Sequence, residues 1–402
     1  MKQRDGLPRE PRIRYRFNTK PFDFMFQWIA GMSRSGGAEI GELMYVASQI
    51  KEGDGESWYR AFYAMGERVS KRAEESLSTG DLVSAGESLL RAYTYYRAAP
   101  LFLNPRNDER YKAAYEKGRS RFTKTLGLPG STMREISVPF ENSALPGYIA
   151  SEPGSPADQK TLLMIGGGDT FVEDLYYYIV PAALRRGYRV VLVDLPGQGA
   201  LPYEGLYMRH DAEIPVARLL DYLEAEEGFG LDKLAIYGIS GGGYLAPRAA
   251  AHEKRIKALV ACSIILSLKE VWSQDLLRLR NRPMGRALRL LKPALLDSIL
   301  NLVDTYRWRW GAANNEELLR VSSDFVLDPA EISCPTLNLV AQQEYEDFGA
   351  TRRWAEQCND RIQNPNRKLV VTPANEGADT HAVGTNLSLM SQLVFDWLDD
   401  IL

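Results

Sequence analysis

The sequence predicts an α/β protein: a mostly parallel central sheet with helices on both faces, preceded by a helical N-terminal domain. Three observations carry this. From residue 161 onward, short β-branched apolar runs alternate with helical stretches, the pattern of strands buried on both faces and linked by crossover helices. One of these runs passes through Gly238-Ile239-Ser240-Gly241-Gly242-Gly243 directly into a helix, a strand-to-helix turn crowded enough to need glycines. Before residue 121 or so there is no strand alternation at all, only apolar and aromatic residues at three- and four-residue steps.

Taken in order, the helical part runs from 20 to about 121, with Phe24, Trp28, Leu43, Tyr45 and Val46, then Trp58, Phe62, Met65 and Val69 at helical spacing. Residues 58–100 read as a helical hairpin that turns at Gly80-Asp81 and presents Ala85, Leu89, Ala92, Tyr93 and Tyr96 inward. No second copy follows at a fixed period, which argues against a solenoid. The texture changes at Leu128-Pro129-Gly130, so the expected domains are 1–127 and 128–402. Stretches 135–140 and 144–151 alternate as a hairpin does. Strands follow at 161–165, 189–193, 233–237, 256–264, 336–340 and 368–372, with helices at 173–186, 214–227, 241–253 and 386–402. One interval breaks the rhythm: 266–326 is a helical insertion rich in Arg, Leu and Trp, expected to help roof the sheet's C-terminal edge.

Composition narrows the function classes. With 402 residues, 45% hydrophobic and 25% charged, the chain has the make-up of a globular protein. Forty-nine Lys and Arg against 52 Asp and Glu leave no electrostatic footprint for nucleic acid or an anionic membrane. Residues 1–16 are basic but lack the apolar core of a secretion signal, so the expected location is cytoplasmic. Cys262, Cys334 and Cys358 are too few and too scattered for a disulfide frame or a zinc site.

Gly238, Ser240 and Gly242 satisfy G-x-S-x-G. A serine at such a turn is lifted clear of the sheet, with the N-terminal N–H groups of the next helix beside it. Its hydroxyl is a poor nucleophile without a base, so a histidine oriented by a carboxylate should follow later in the chain. Of His210, His252 and His381, the last fits: it lies in the small polar loop Asn375-Glu376-Gly377-Ala378-Asp379-Thr380-His381 between the terminal strand and helix. His210 and His252 read as surface or cap-interface residues. The acid is sought after the strand 336–340, where Glu344, Glu346 and Asp347 all stand; Glu344 comes where the chain should clear the sheet edge. Asp379 is too close to His381 in sequence to orient its ring and is expected to shape the loop. Two backbone N–H groups should meet the developing oxyanion: one from Gly241, the other from Gly168 or Asp169 in Gly166-Gly167-Gly168-Asp169. Neither glycine run has the lysine or spacing of a phosphate-binding loop.

This order of motifs resembles the α/β-hydrolase superfamily over 135–402. The helical N-terminal part and the late Glu-Gly-Ala-Asp-x-His loop resemble the branch that includes FrsA-like esterases, 2,6-dihydroxypseudooxynicotine hydrolase and fungal polyketide-shortening hydrolases. Asp194-Leu195-Pro196-Gly197-Gln198-Gly199 matches the superfamily's Asp-x-Pro-Gly-x-Gly turn. The acid position, commonly aspartate, would here be Glu344. The branch also has acidic residues beyond the oxyanion loop, which Glu173 and Asp174 match in place, although acids in a helix's first turn are favoured by its dipole in any case. Glu173 and Tyr244 are the expected substrate contacts.

The resemblance implies an α/β-hydrolase fold with a helical cap and a serine hydrolase that attacks a carbonyl, either in an ester or amide or beside a ketone C–C bond. The aromatic helices would suit an aromatic or polyketide-like metabolite. The alternative is a non-hydrolytic member using the same pocket for acyl transfer, cyclisation or lyase chemistry. No cofactor or metal is implied. The expected partners are a small-molecule substrate and a second copy of the chain in a homodimer, with neither nucleic acid nor membrane.

Overall fold

The computed structural model describes residues 11–272 and 283–402. Part of the basic N-terminal stretch and part of the 266–326 insertion therefore lie outside the described residues. The described residues divide into two compact units, one formed by 132–272 with 309–402, the other by 11–131 with 283–308.

The first unit is built on an eight-stranded sheet, as the strand-helix alternation predicts. Its strands are β1 (Met133–Phe140), β2 (Ser143–Ala150), β3 (Thr161–Ile165), β4 (Arg189–Val193), β5 (Leu234–Ile239), β6 (Ala258–Cys262), β7 (Thr336–Ala341) and β8 (Arg367–Thr372), in the spatial order β1-β2-β4-β3-β5-β6-β7-β8. The hairpin β1–β2 and the pair β2–β4 are antiparallel, and all pairs from β4 to β8 are parallel. Every residue of β3, β4, β5, β6 and β7 is buried, which is why these strands read as unbroken apolar runs rather than alternating ones. The chain places β4 on one side of β3 and then returns to place β5 on the other. Loops leaving β3 and β5 therefore diverge at a topological switch point, where open α/β sheets leave a crevice.

Register fixes how these loops line up. Ile165 pairs with Gly238, Ile239 with Cys262, Cys262 with Leu339, and Ala341 with Thr372. Five neighbouring strands thus end near one line, and whatever follows each of them shares that edge.

The second unit is helical, as expected for the N-terminal part, with helices Lys20–Gly31, Ile40–Gln49, Gly55–Thr79, Leu82–Ala98 and Glu109–Leu126. Gly80 ends the third helix at φ 81, the left-handed conformation in which glycine closes a helix without penalty. Trp58, Phe62, Tyr95 and Phe102 are buried together with Phe17 and Phe22, and the Trp58 indole N–H donates to the Ala98 carbonyl at 2.9 Å. The aromatic stripe is the core of this unit. Asp23, itself buried, accepts from the backbone N–H groups of Tyr15, Arg16 and Phe17 and so folds the chain entry onto the first helix.

A buried carboxyl and a buried guanidinium underlie the β3–β4 side of the sheet unit. Asp194, at the end of β4, accepts from the Val172 N–H at 3.2 Å, and Arg309 donates to the Gly197 carbonyl at 3.1 Å with its guanidinium over the Phe171 ring. Burial, reinforced by the charge of Glu173 and opposed by Arg309, pushes the Asp194 carboxyl well above the usual carboxylate range. The native state therefore keeps a proton that the unfolded chain releases above about pH 3.9, so this group's contribution to stability falls as pH rises. Asp194→Asn cannot release that proton. Thermal unfolding across pH 5 to 8 should show the variant gaining on the wild type as pH rises, by at most about 1.4 kcal/mol per pH unit.

Candidate active site

Ser240 follows β5 with φ 55, one of few non-glycine residues in the left-handed region. Such a conformation costs on the order of 1–3 kcal/mol and persists only where its surroundings enforce it. Here the enforcement is visible. A Cβ on Gly238 would stand 2.0 Å from the Gly242 carbonyl oxygen, and one on Gly242 would stand 2.6 Å from that of Ile165. The backbone on either side of the serine is packed too closely for any side chain. The Ser240 N–H donates to the Cys262 carbonyl at 3.1 Å, and the Ser240 carbonyl accepts from the Gly243 N–H at 2.8 Å, which opens the helix Gly242–His252.

His381 comes from the loop after β8, and its Nε2 lies 2.7 Å from Ser240 Oγ. Its Nδ1 lies 2.5 Å from Glu344 Oε1. A carboxylate only accepts, so the ring carries its proton on Nδ1 and offers Nε2 as the acceptor for the serine hydroxyl. The histidine loop is held by its own side chains: Thr372 Oγ1 donates to the Ala378 carbonyl, and Thr385 Oγ1 to that of Gly377, each at 2.7 Å. Ala382 and Val383 just beyond it have φ 58 and φ 53, a conformation unusual enough for a β-branched residue to mark a tightly constrained turn.

The three carboxylates after β7 differ in their contacts, although Glu344 and Asp347, both buried, lie three residues apart on one helix face. They fall in the short helix Gln342–Asp347, where Glu344 is 1% exposed and reaches His381, whereas Glu346 accepts from Gln342 Nε2 at 2.8 Å. Asp379 accepts from the Gln343 N–H at 2.5 Å. It thus ties the histidine loop to the chain beside Glu344, in keeping with a loop-shaping role.

The glycine loop after β3 faces the same point. A Cβ on Gly167 would stand 3.3 Å from Ser240 Oγ, and one on Gly241 would stand 2.6 Å from the Gly168 nitrogen. Its orientation comes from a residue that sequence reasoning passed over. Gln198, fully buried in the Asp-x-Pro-Gly-x-Gly turn, donates from Nε2 to the carbonyls of Gly166 and Gly167 at 2.6 and 3.0 Å, and its Oε1 accepts from the Leu195 N–H. Thr170 Oγ1 also donates to the Gly167 carbonyl at 3.2 Å. In a planar trans peptide the C=O and N–H lie on opposite edges, so anchoring the Gly167 carbonyl fixes the Gly168 N–H. Asp169, half-buried, is next in the same turn.

The two expected substrate contacts, Glu173 and Tyr244, each have a hydrogen-bond partner within the protein. Glu173 is fully buried and accepts from the Tyr148 hydroxyl at 2.9 Å, while Asp174 beside it accepts from the Phe171 N–H at 3.0 Å as a first-turn helix acid. Tyr244 is fully buried too, with its hydroxyl donating to the His210 carbonyl at 2.8 Å and its ring against Phe325. His210 and His252 are exposed, the latter 3.6 Å from Glu331. The three cysteines are free and buried. Among the described residues no helix is long and apolar enough to cross a membrane.

Comparison with known proteins agrees with this architecture. Residues 153–394 match the profile described as the alpha/beta hydrolase family. Hydrolase LUC6 of a Fusarium species is 30% identical over 94% of this chain and 96% of its own length. The 20-hydroxy-prefusarin hydrolase FUS2 of Gibberella moniliformis is 31% identical over the same shares. Among solved structures, that of 2,6-dihydroxy-pseudo-oxynicotine hydrolase shares the fold with a TM-score of 0.72 at 19% identity, covering 93% of this chain and 95% of that one. A family profile spanning more than half the sequence, together with relatives aligned nearly end to end, establishes that the chain belongs to the α/β hydrolase family.

Proposed function

We propose that this α/β hydrolase is a serine hydrolase in which Ser240 is the nucleophile, His381 the general base and acid, and Glu344 the group that orients the imidazole. The observation that carries the reading is the unbroken hydrogen-bond line Ser240 Oγ, His381 Nε2, His381 Nδ1, Glu344 Oε1. In the first step Oγ attacks the substrate carbonyl carbon while its proton passes to Nε2. The negative charge moves to the carbonyl oxygen, which the N–H groups of Gly241 and of Gly168 or Asp169 stabilise. Collapse of this intermediate expels the leaving group, and His381 returns the proton to it. From an ester or amide that group is an alkoxide or amine; from a ketone C–C bond it is a carbanion. Water, deprotonated by His381, then releases the acyl group by the same two steps.

The proposed substrate is a small metabolite with such a carbonyl, aromatic or polyketide-like. The relative named for 20-hydroxy-prefusarin, aligned over nearly the whole chain, supports a small-molecule metabolite rather than a peptide. Product analysis by mass spectrometry with a panel of aryl esters and diketones separates the two bond classes. Cleavage of esters alone would remove the C–C reading.

Ser240→Ala should lose at least about 10³-fold in kcat and all labelling by a serine-directed fluorophosphonate. Full turnover by this variant would end the nucleophile assignment, and absence of a label at Ser240 in folded wild type would favour non-hydrolytic use of the pocket. Gln198→Leu leaves the serine and histidine untouched but removes the amide donor from the Gly166 and Gly167 carbonyls, leaving only Thr170 Oγ1 on the latter. Steady-state kinetics should show kcat reduced by about tenfold to a hundredfold, with KM changed much less.

A further inference from the structure

The elbow motif requires small residues at Gly238 and Gly242 but says nothing of the third glycine in Gly241-Gly242-Gly243. In the structure a Cβ on Gly243 would stand 2.2 Å from the carbonyl oxygen of Ser263. Ser263 is the first residue after β6. It has φ 66, is 4% exposed, and its N–H donates to the Leu339 carbonyl of β7 at 2.8 Å. The carbonyl of Gly243 in turn accepts from the Ile265 N–H at 2.9 Å. Between these contacts the backbone at 263 is locked in a conformation that a serine adopts only at a cost. If the turn were all that mattered, glycine would make it without strain.

The side chain accounts for the serine. Its hydroxyl donates to Glu344 Oε2 at 2.5 Å, while the other oxygen of the same carboxylate meets His381 Nδ1. Continued as a regular strand, alternate residues would face opposite sides of the sheet; the left-handed turn breaks that alternation at 263, with the hydroxyl on the carboxylate. We infer that Ser263 is a positioning residue for Glu344, holding the second carboxylate oxygen so that the first stays on the histidine, and that Gly243 is glycine to let the Ser263 turn close. This rests on the reading of Ser240, His381 and Glu344 as the reacting set. Glutamate has one more rotatable bond than the family's usual aspartate, so a second anchor has more freedom to remove here.

With its second oxygen anchored, Glu344 keeps the first on Nδ1 and so holds the ring with Nε2 toward Ser240, which means that Ser263 acts on the serine only through Glu344.

The test is the second-order rate of fluorophosphonate labelling at Ser240 for full-length wild type, Ser263→Ala, Ser263→Gly, Glu344→Gln and the double variants that combine each Ser263 change with Glu344→Gln. Ser263→Gly keeps the turn without strain and so remains informative if Ser263→Ala folds poorly. Both Ser263 variants should label on the order of tenfold more slowly, whereas the same changes added to Glu344→Gln should cost little more. An equal loss in both backgrounds would mean a role in backbone packing alone and would overturn the inference. A wild-type rate in both Ser263 variants, with Glu344→Gln strongly impaired, would also overturn the inference and leave the triad reading standing. A Glu344→Gln variant that labels like wild type, or a wild type that does not label at Ser240, would remove the triad reading and the inference with it.

Discussion

The constraint on which the site depends is the parallel register from β3 to β8. Ile165 beside Gly238, Ile239 beside Cys262 and Ala341 beside Thr372 bring the ends of neighbouring strands to one edge. Each strand then hands over one piece: the glycine loop after β3, Ser240 after β5, Ser263 after β6, Glu344 after β7, His381 after β8. A side chain placed by a strand end inherits the sheet's rigidity. That is what allows distances of 2.5–2.7 Å among residues separated by up to 141 positions in sequence.

The same edge concentrates the strained backbone. Ser240, Ser263, Ala382 and Val383 all have positive φ without being glycine. Each deviation is unfavourable locally and is held by packing and hydrogen bonds supplied by neighbouring elements, so the cost is met by the fold rather than by the loop. Backbone held this way is fixed in advance of any ligand, the condition under which electrostatic stabilisation of a transition state is effective.

Most of the fold was legible because burial on both faces leaves a simple signature. The runs 161–165 and 189–193 coincide with β3 and β4. β5 extends further than its apolar run, through Gly238 and Ile239, because glycine reads locally as a turn while its neighbours keep it paired. The helix Gly349–Arg361 was not anticipated: Thr351, Trp354, Ala355 and Cys358 form its buried face, but Arg352, Arg353 and Glu356 between them dilute the stripe. Within the site, Ser240 and His381 stood out by motif and by scarcity, whereas three carboxylates within four residues are separated only by the contact that Glu344 makes in the fold. Gln198 and Ser263 carried no local signal. Their significance lies in contacts to residues 31 or 81 positions away, and a single glutamine in a turn or serine after a strand is common in any sequence.

The division of the chain has a consequence for how its helical unit holds together. Residues 283–308 belong with the N-terminal helices, although they are reached only after six strands of the sheet have been laid down. Ser298 Oγ accepts from the Gly55 N–H at 3.1 Å, Asn301 donates to the Phe102 carbonyl at 3.0 Å, and Asn104 donates to Asp304 at 2.8 Å. The helical unit is thus a discontinuous domain, completed from two distant parts of one polypeptide. Severing the chain at the 131–132 junction would not release a self-sufficient module but one missing a wall, with the missing piece still tethered inside the sheet unit. Synthesis from the N-terminus meets the same asymmetry: the first helices emerge long before the segment that finishes them, and that closing step waits for β6.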